Sequence, residues 1–241
     1  MKFAYLTDIG KRATNEDSLY VPAEGAKPLF LVADGMGGHK SGATASTLAA
    51  RSVAEYVEQC THSNLETMAK VASAYANAKV YALAQSAKVY EGMGTTLAFV
   101  YAQEDRFVAA NIGDSRIYHY DGMTLTQITK DHSYVAALLM AGKITETEAE
   151  NHPQRNMITR AIGINPIEQA DIFEMEWGKG DLLLLCTDGL PSGLTDAEIK
   201  EILKSVKDIN AACRELVESA KKGGAADNIT VILVENEVTD E

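Results

Sequence analysis

The chain has 241 residues, of which 46% are hydrophobic and 23% charged, with no long Pro, Gly or Ser tract; one globular domain spanning 1–241 with a sizeable core is the expectation. Its 34 acidic residues outnumber 22 basic ones, and the net charge of −12 disfavours general attraction to nucleic acid or an anionic membrane, so cations or a local basic spot must explain any anion binding. Cys60, Cys186 and Cys213 are scattered without a CxxC, which argues against a disulfide framework or thiolate zinc site and for buried thiols. The start MKFAYLTDIG lacks the apolar stretch of a signal peptide, and no run of about 18 apolar residues occurs. A cytoplasmic protein without membrane insertion fits these features.

In chain order, PLFLVAD (28–34) reads as a strand that stops at an acid. Residues 41–59 read as a helix with Ala45, Leu48, Ala49, Val53, Tyr56 and Val57 on one face, and 65–87 as a second with Met68, Ala72, Tyr75, Ala76 and Leu83. A run of strands follows: TTLAFVYA (95–102), RFVAANIGD (106–114) and RIYHYDGMTLTQIT (116–129), the last turned at Asp121-Gly122 as a tight hairpin. Residues 131–165 mix short helical pieces with His-Pro and Gly, and read as a flap beside the main body. DLLLLCTD (181–188), a helix over 208–222 with Cys213, Leu216, Val217 and Ala220 on one face, and the strand NITVILVEN (228–236) complete the chain. Two consecutive helices followed by a strand meander predict an α+β layered sandwich, antiparallel sheets with helices on their outer faces, rather than a repeating βαβ sheet.

Acids recur where these strands begin or end. Asp34 follows FLVA, Asp114 follows AANIG, Asp188 follows LLLLCT and Asp227 precedes NITVILV; each has glycine next to it or nearby, and Asp17 in RATNEDS makes a fifth. Any one of them alone is an ordinary turn signal. Five carboxylates converging on one cleft would raise each other's pKa unless a cation sat among them, and an all-oxygen set suits Mg2+ or Mn2+. Glycine beside the acid bares the backbone, so that a carbonyl such as that of Gly35 can approach a metal.

The blocks GKRATNEDS, LVADGMGGHKSGATAS, GMGTTLAFV, AANIGDSRIY, TKDHSYV, LLLLCTDGL and GGAADNITVILV, in that order, resemble the motifs of the metal-dependent protein phosphatases, the PPM or PP2C family, and in particular its small bacterial serine/threonine members. The resemblance runs from about Leu6 to Val234. It implies a four-layer αββα sandwich, two stacked antiparallel sheets flanked by helix pairs, with a metal cluster at one end. By the same resemblance Asp34 bridges two Mn2+ or Mg2+ ions, Asp188 and Asp227 complete the first, the Gly35 carbonyl joins the second, and Glu16 and Asp17 reach the second ion or its waters. Asp114 matches the acid that, with Asp188, holds a third and weaker ion. Arg12 matches the arginine that grips the substrate phosphate, and Asn228 the partner of the last aspartate. The implied reaction is hydrolysis of phosphoserine and phosphothreonine on proteins by a hydroxide formed between two cations, with no covalent phosphoenzyme. Implied partners are phosphorylated proteins and a bacterial membrane-anchored Ser/Thr kinase that the enzyme opposes, and the chain is expected to act as a monomer.

Many eukaryotic members carry a proton-donating histidine two residues after the bridging aspartate, where this chain has Met36. The leaving oxygen then takes its proton from metal-bound water or from another acid, of which His39 is the nearest in sequence, balanced equally against a residue that only shapes the rim; the general acid is left unassigned. Cys186 ends an apolar run without a basic phosphate cradle and reads as core. His62, His119, His132 and His152 read as structural or solvent residues, Arg116 as a brace for Asp114, and Arg155 and Arg160 as flap residues that could touch substrate. A catalytically weak phosphoprotein-binding pseudophosphatase is the alternative, marked by loss of a metal acid; here all five aspartates are present. A nucleotide cradle fails on spacing, since DGMGGHKSG is neither GxGxxG nor GxxxxGK[ST].

Overall fold

The computed structural model describes residues 1–37, 41–61 and 64–237. Strands β1 (Lys2–Asp8), β2 (Asp17–Tyr20) and β3 (Leu29–Met36) precede helices α1 (Ser41–Gln59) and α2 (Leu65–Ala84). Then come β4 (Gly94–Thr95), β5 (Leu97–Ala102), β6 (Arg106–Ile112), β7 (Arg116–Tyr120) and β8 (Leu125–Gln127). Helices α3 (Tyr134–Met140) and α4 (Glu146–Glu150) belong to the flap, and β9 (Asp171–Glu176), β10 (Leu182–Cys186), α5 (Asp196–Ser205), α6 (Ile209–Lys222) and β11 (Ile229–Glu235) finish the chain.

Among the described residues the strands form two antiparallel sheets, one in the order β1-β11-β10-β7-β8 and the other β2-β3-β5-β6-β9 with β4 added to β3. Period-two alternation explains the layering, because successive side chains point to opposite faces of a strand. In β3, Leu29, Leu31 and Ala33 face α1 and α2, whereas Phe30 and Val32 face the other sheet. In β10, Leu184 and Cys186 face the α5–α6 layer, and Leu183 and Leu185 meet Phe30 and Val32 in the central layer. Strands buried on both faces therefore read as unbroken apolar runs. The result is the expected αββα sandwich.

Helix α1 lies close on its sheet because its inner face is small: Gly42, Ala45, Ser46, Ala49 and Val53 are all buried. Asn64 caps α2 by accepting from the Thr67 N–H, and Asp208 caps α6 by accepting from Ala211. Helix α5, absent from the sequence reading, starts in a capping box in which Thr195 and Glu198 each bond the other's backbone. Strands β1, β2 and β9 were also missed. They are edge or near-edge strands with partly exposed faces and short apolar runs. The tight hairpin expected at Asp121-Gly122 joins β7 to β8: the Asp121 N–H donates to the Thr124 carbonyl, and Asp121 Oδ1 accepts from the N–H groups of both Met123 and Thr124.

The flap over 131–165 buries little, and none of the seven residues of α3 is buried. A bridge between Ser133 and Ile158 joins its two ends, and a second, between Ile162 and Thr95, returns it to the body. Beyond them Asn77, buried on α2, accepts from the Gly163 N–H at 2.8 Å and donates to the Asn165 carbonyl at 3.1 Å. Replacing Asn77 with Ala strands that amide and should lower stability by about 1–3 kcal/mol. Urea unfolding reads this directly, and an unchanged midpoint would show that the staple contributes nothing.

Candidate metal centre

The antiparallel ladders carry every predicted acid to the same end of the sandwich. Asp34, near the end of β3, is the register partner of Asp17 at the start of β2. In the other sheet Asp188 lies just past β10 and Asp227 just before its neighbour β11, while Asp114 lies just past β6. Like charges directly opposed across a strand pair are destabilising, so this register needs a compensating group.

Hydroxyl groups supply part of it. Asp17 Oδ2 accepts from Thr187 Oγ1 at 2.8 Å and Thr230 Oγ1 at 2.6 Å, a bond set that crosses from one sheet to the other. The Asp34 main chain is fixed by Thr96: the Asp34 N–H donates to Thr96 Oγ1, and the Asp34 carbonyl accepts from the Thr96 N–H and from Thr95 Oγ1, each at 2.8 Å. Sequence reading overlooked these threonines. For Thr187 and Thr230 the available signal was a hydroxyl residue beside or near an acid, in CTD and DNIT; Thr95 and Thr96 stand near none of the cluster's acids in the sequence.

The remaining charge is uncompensated. Burial, then repulsion from Asp17, Asp188, Asp114 and Asp227, pushes Asp34 well above the usual carboxylate range. Burial likewise raises Asp17 to about 7 against the pull of its threonine bonds. Asp114 rises to about 7, from burial and then Asp188, and Asp188 to about 6, from burial and then Asp227. Arg12 donates from Nη2 to Asp227 Oδ2 at 2.5 Å, and its pKa is raised by that bond and by Asp188 and Asp34. Its side chain is 58% exposed, at the rim, and one guanidinium does not balance five acids.

Among the described residues, Asp17 Oδ1 and Asp188 Oδ1 are buried with no hydrogen-bond partner. Buried polar atoms are almost always paired, so two orphaned carboxylate oxygens in a like-charged cluster fit a hard divalent cation. Also among the described residues, no three acidic, histidine or cysteine side chains are already drawn round one point. The fit therefore rests on charge and orphaned oxygens rather than on a preset coordination sphere.

Glycines bring the backbone close. A Cβ on Gly35 would stand 2.7 Å from the Glu16 carbonyl oxygen, and one on Gly42 would stand 2.8 Å from the Gly35 carbonyl and press on the Glu16 carboxylate. Asn228 organises the neighbouring loop: Nδ2 donates to the Ile9 and Thr14 carbonyls at 2.9 and 3.0 Å, and Oδ1 accepts from the Glu16 N–H at 2.8 Å. Its own N–H donates to Asp227 Oδ1, so it binds the last aspartate to the loop that carries Arg12.

Other expectations resolve differently. Arg116 does not bond Asp114; it forms a forked pair with Asp131, with Nη2 at 2.7 Å from Oδ2, and donates to the Tyr118 hydroxyl. Arg160 is engaged within the structure, by Glu168 at 2.9 Å, Asp171 at 2.8 Å and the Gln169 carbonyl, rather than held out toward substrate. Arg155 donates its backbone N–H to the His152 carbonyl. Met36 packs across Gly94 toward Ile164. Cys186 and Cys213 are buried as expected, and Cys60 only partly. His119 pairs with Asp181 at 2.7 Å and the His152 ring lies against Tyr134, both structural. His39 and His62 lie outside the described residues.

A carboxyl whose folded pKa exceeds its unfolded value favours the fold below the unfolded pKa and withdraws that support as pH rises through the folded value. For Asp17, Asp114 and Asp188 the window runs from 3.8 to about 6–7. In chelator, Asp188→Asn should therefore match the parent's melting temperature near pH 4 and exceed it near pH 8. Mn2+ should raise the parent's melting temperature more near pH 8 than near pH 5, because protons compete for the same oxygens. Differential scanning fluorimetry across that range decides both, and a pH-independent Mn2+ shift would contradict the cluster's electrostatics.

The chain is similar to known proteins over almost its whole length. The protein phosphatase 2C family model matches residues 7–233. The serine/threonine phosphatase stp of Listeria monocytogenes is 36% identical over 247 residues, covering 100% of this chain and 98% of that protein. The serine/threonine phosphatase PstP/Ppp of Mycobacterium tuberculosis superposes with a TM-score of 0.90 at 38% identity, covering 98% of this chain and 99% of that one. The catalytic domain of PstP in complex with two manganese ions superposes with a TM-score of 0.87 at 35% identity, covering 97% of each chain. The chain belongs to the protein phosphatase 2C family, among its bacterial serine/threonine protein phosphatases.

Proposed function

We propose that the acidic end of the sandwich is the active site of a phosphatase that hydrolyses phosphoserine and phosphothreonine on proteins. The observation that supports it is the half-buried acidic cluster with its two buried, orphaned oxygens, on Asp17 and Asp188. Asp34, Asp188 and Asp227 would hold one Mn2+ or Mg2+ ion; Asp34, the Gly35 carbonyl and the Glu16–Asp17 pair would hold or orient the second; Asp114 with Asp188 would hold a third. When bound, such cations supply positive charge that polarises phosphoryl oxygens and makes water a stronger acid.

The chain's own residues contribute orientation and charge. Arg12 stands at the rim on the loop gathered by Asn228, where a planar guanidinium can turn from Asp227 to grip two oxygens of a phosphate. Thr187 and Thr230 hold Asp17, and Thr96 holds the Asp34 backbone, so the acids keep their places as charge shifts during the reaction. Cys186 is no nucleophile: it is fully buried, and burial pushes its thiol up to about 12. Met36 has no proton to donate.

Substrates on this reading are phosphoproteins, made by a Ser/Thr kinase whose action the enzyme reverses, and the protein acts as a cytoplasmic monomer built as a single domain. Among the described residues no helix is long and apolar enough to cross a membrane.

Purified protein should cleave an aryl phosphate and a phosphothreonine peptide with Mn2+ and lose both activities in chelator; activity undiminished by exhaustive metal removal would sink the mechanism. Asp34→Asn should lower kcat/KM by at least about 100-fold, exceeding the loss usual for a residue outside a metal's own ligands. Arg12→Ala should lower it about 10- to 100-fold through KM, as expected for losing a charge-assisted bond. Steady-state kinetics separates the two, and an Arg12→Ala enzyme with unchanged KM would remove Arg12 from phosphate binding.

A further inference from the structure

The turn that carries Asp114 is held on both sides. After it, Ser115 Oγ shares a buried hydrogen bond with Thr96 Oγ1 at 2.7 Å. Before it, the Gly113 N–H donates to His132 Nδ1 at 3.0 Å, and the Gly113 carbonyl accepts from the His132 N–H at 2.9 Å and from Asn111 Nδ2 at 3.2 Å. Gly113 has φ +108°, and a Cβ there would lie 2.7 Å from Thr96 Cβ, so only glycine fits a turn pinned this way.

His132 has a 9% exposed side chain, and its bonds fix its proton. An Nδ1 that accepts from Gly113 carries no hydrogen, so a neutral ring carries its proton on Nε2 and gives it to Asp171 Oδ2 at 3.2 Å. Arg160 Nη1 also lies 2.8 Å from Nε2, but it has an acceptor in Asp171 Oδ1 at the same distance. The opposite tautomer would let Nε2 accept from Arg160 but leave the Gly113 N–H and Asp171 Oδ2 without their bonds to the ring. Burial lowers the imidazole pKa, in keeping with a neutral ring. The His132 carbonyl meanwhile accepts from the Thr159 N–H at 2.7 Å, so this residue joins the turn before Asp114 to the returning end of the flap.

We propose that His132 is a positioning residue for Asp114: its Nδ1 lone pair sets the Gly113 peptide, and Asp171 keeps the ring proton on the far nitrogen. This rests on the reading of Asp114 as a ligand of the weakest cation. It follows the pattern by which groups behind a ligand orient it and tune its affinity.

Mn2+ titration by calorimetry on the purified full chain tests it with three variants. In His132→Asn the amide oxygen can stand near the position of Nδ1 and still accept from Gly113; in His132→Gln the amide reaches toward Nε2 and leaves the Gly113 N–H unmatched. His132→Gln should weaken the weakest Mn2+ step about tenfold and His132→Asn by less than about threefold, with the tighter steps unchanged in both. Asp114→Asn should abolish the weakest step. If it does not, the reading of Asp114 fails and the inference with it; if it does and His132→Gln binds like the parent, the inference alone fails. Nitrogen NMR of the unaltered chain should show His132 Nδ1 as the unprotonated nitrogen, and a protonated Nδ1 overturns the inference even if a variant fails to fold.

Discussion

Repulsion among five aspartates at one end of the sandwich is the constraint on which the rest of the structure depends. Asp17, Asp34, Asp114 and Asp188 are largely out of water, and burial is the first cause of the raised pKa in each. A chain selected only for stability would not gather these charges. On the proposed reading, bound cations would offset that cost, and their positive charge is what would polarise a phosphoryl group.

The β-sandwich suits this load because stiffness comes from elements far from the acids. Each sheet buries one face in the shared central layer and the other beneath a helix pair, so the strand ends cannot drift without breaking two cores. Side-chain bonds then join the two sheets at the acidic end. Asp17 on the edge strand β2 is held by hydroxyls beside β10 and on β11, and Asn228 before β11 gathers residues 9–16. The flap has no buried residue on α3, and it is tied to this frame at its ends, by polar bonds such as those of Asn77 and by Ile162 in the α1–α2 core.

Much of the fold was legible because it was written in periodicity. Doubly buried strands such as β3 and β10 appear as continuous apolar runs, and α1, α2 and α6 carry apolar faces at helical spacing. The elements missed were those whose burial is partial. Strand β9, DIFEME, sits at a sheet edge with three acids among its six residues, and β1 has no fully apolar face. Helix α5 was legible in principle, since Thr195 and Glu198 spell a capping box ahead of Ile199 and Leu203. Within the site, acids at strand ends were conspicuous, whereas Thr96, Thr187 and Thr230 look like any strand threonine until the sheets are stacked.

By itself the sequence determined the layered α+β class, the five aspartates and the oxygen-rich chemistry they imply, because these follow from local periodicity and residue type. Only the tertiary structure decided what each acid meets: that Asp17 opposes Asp34 in register, that Asp17 and Asp188 keep a buried oxygen without a partner, that Arg116 serves Asp131 rather than Asp114, and that Arg160 is held by Glu168 and Asp171. These depend on pairings between residues far apart in the chain. Strand register and sheet stacking set such pairings, and no local pattern records them.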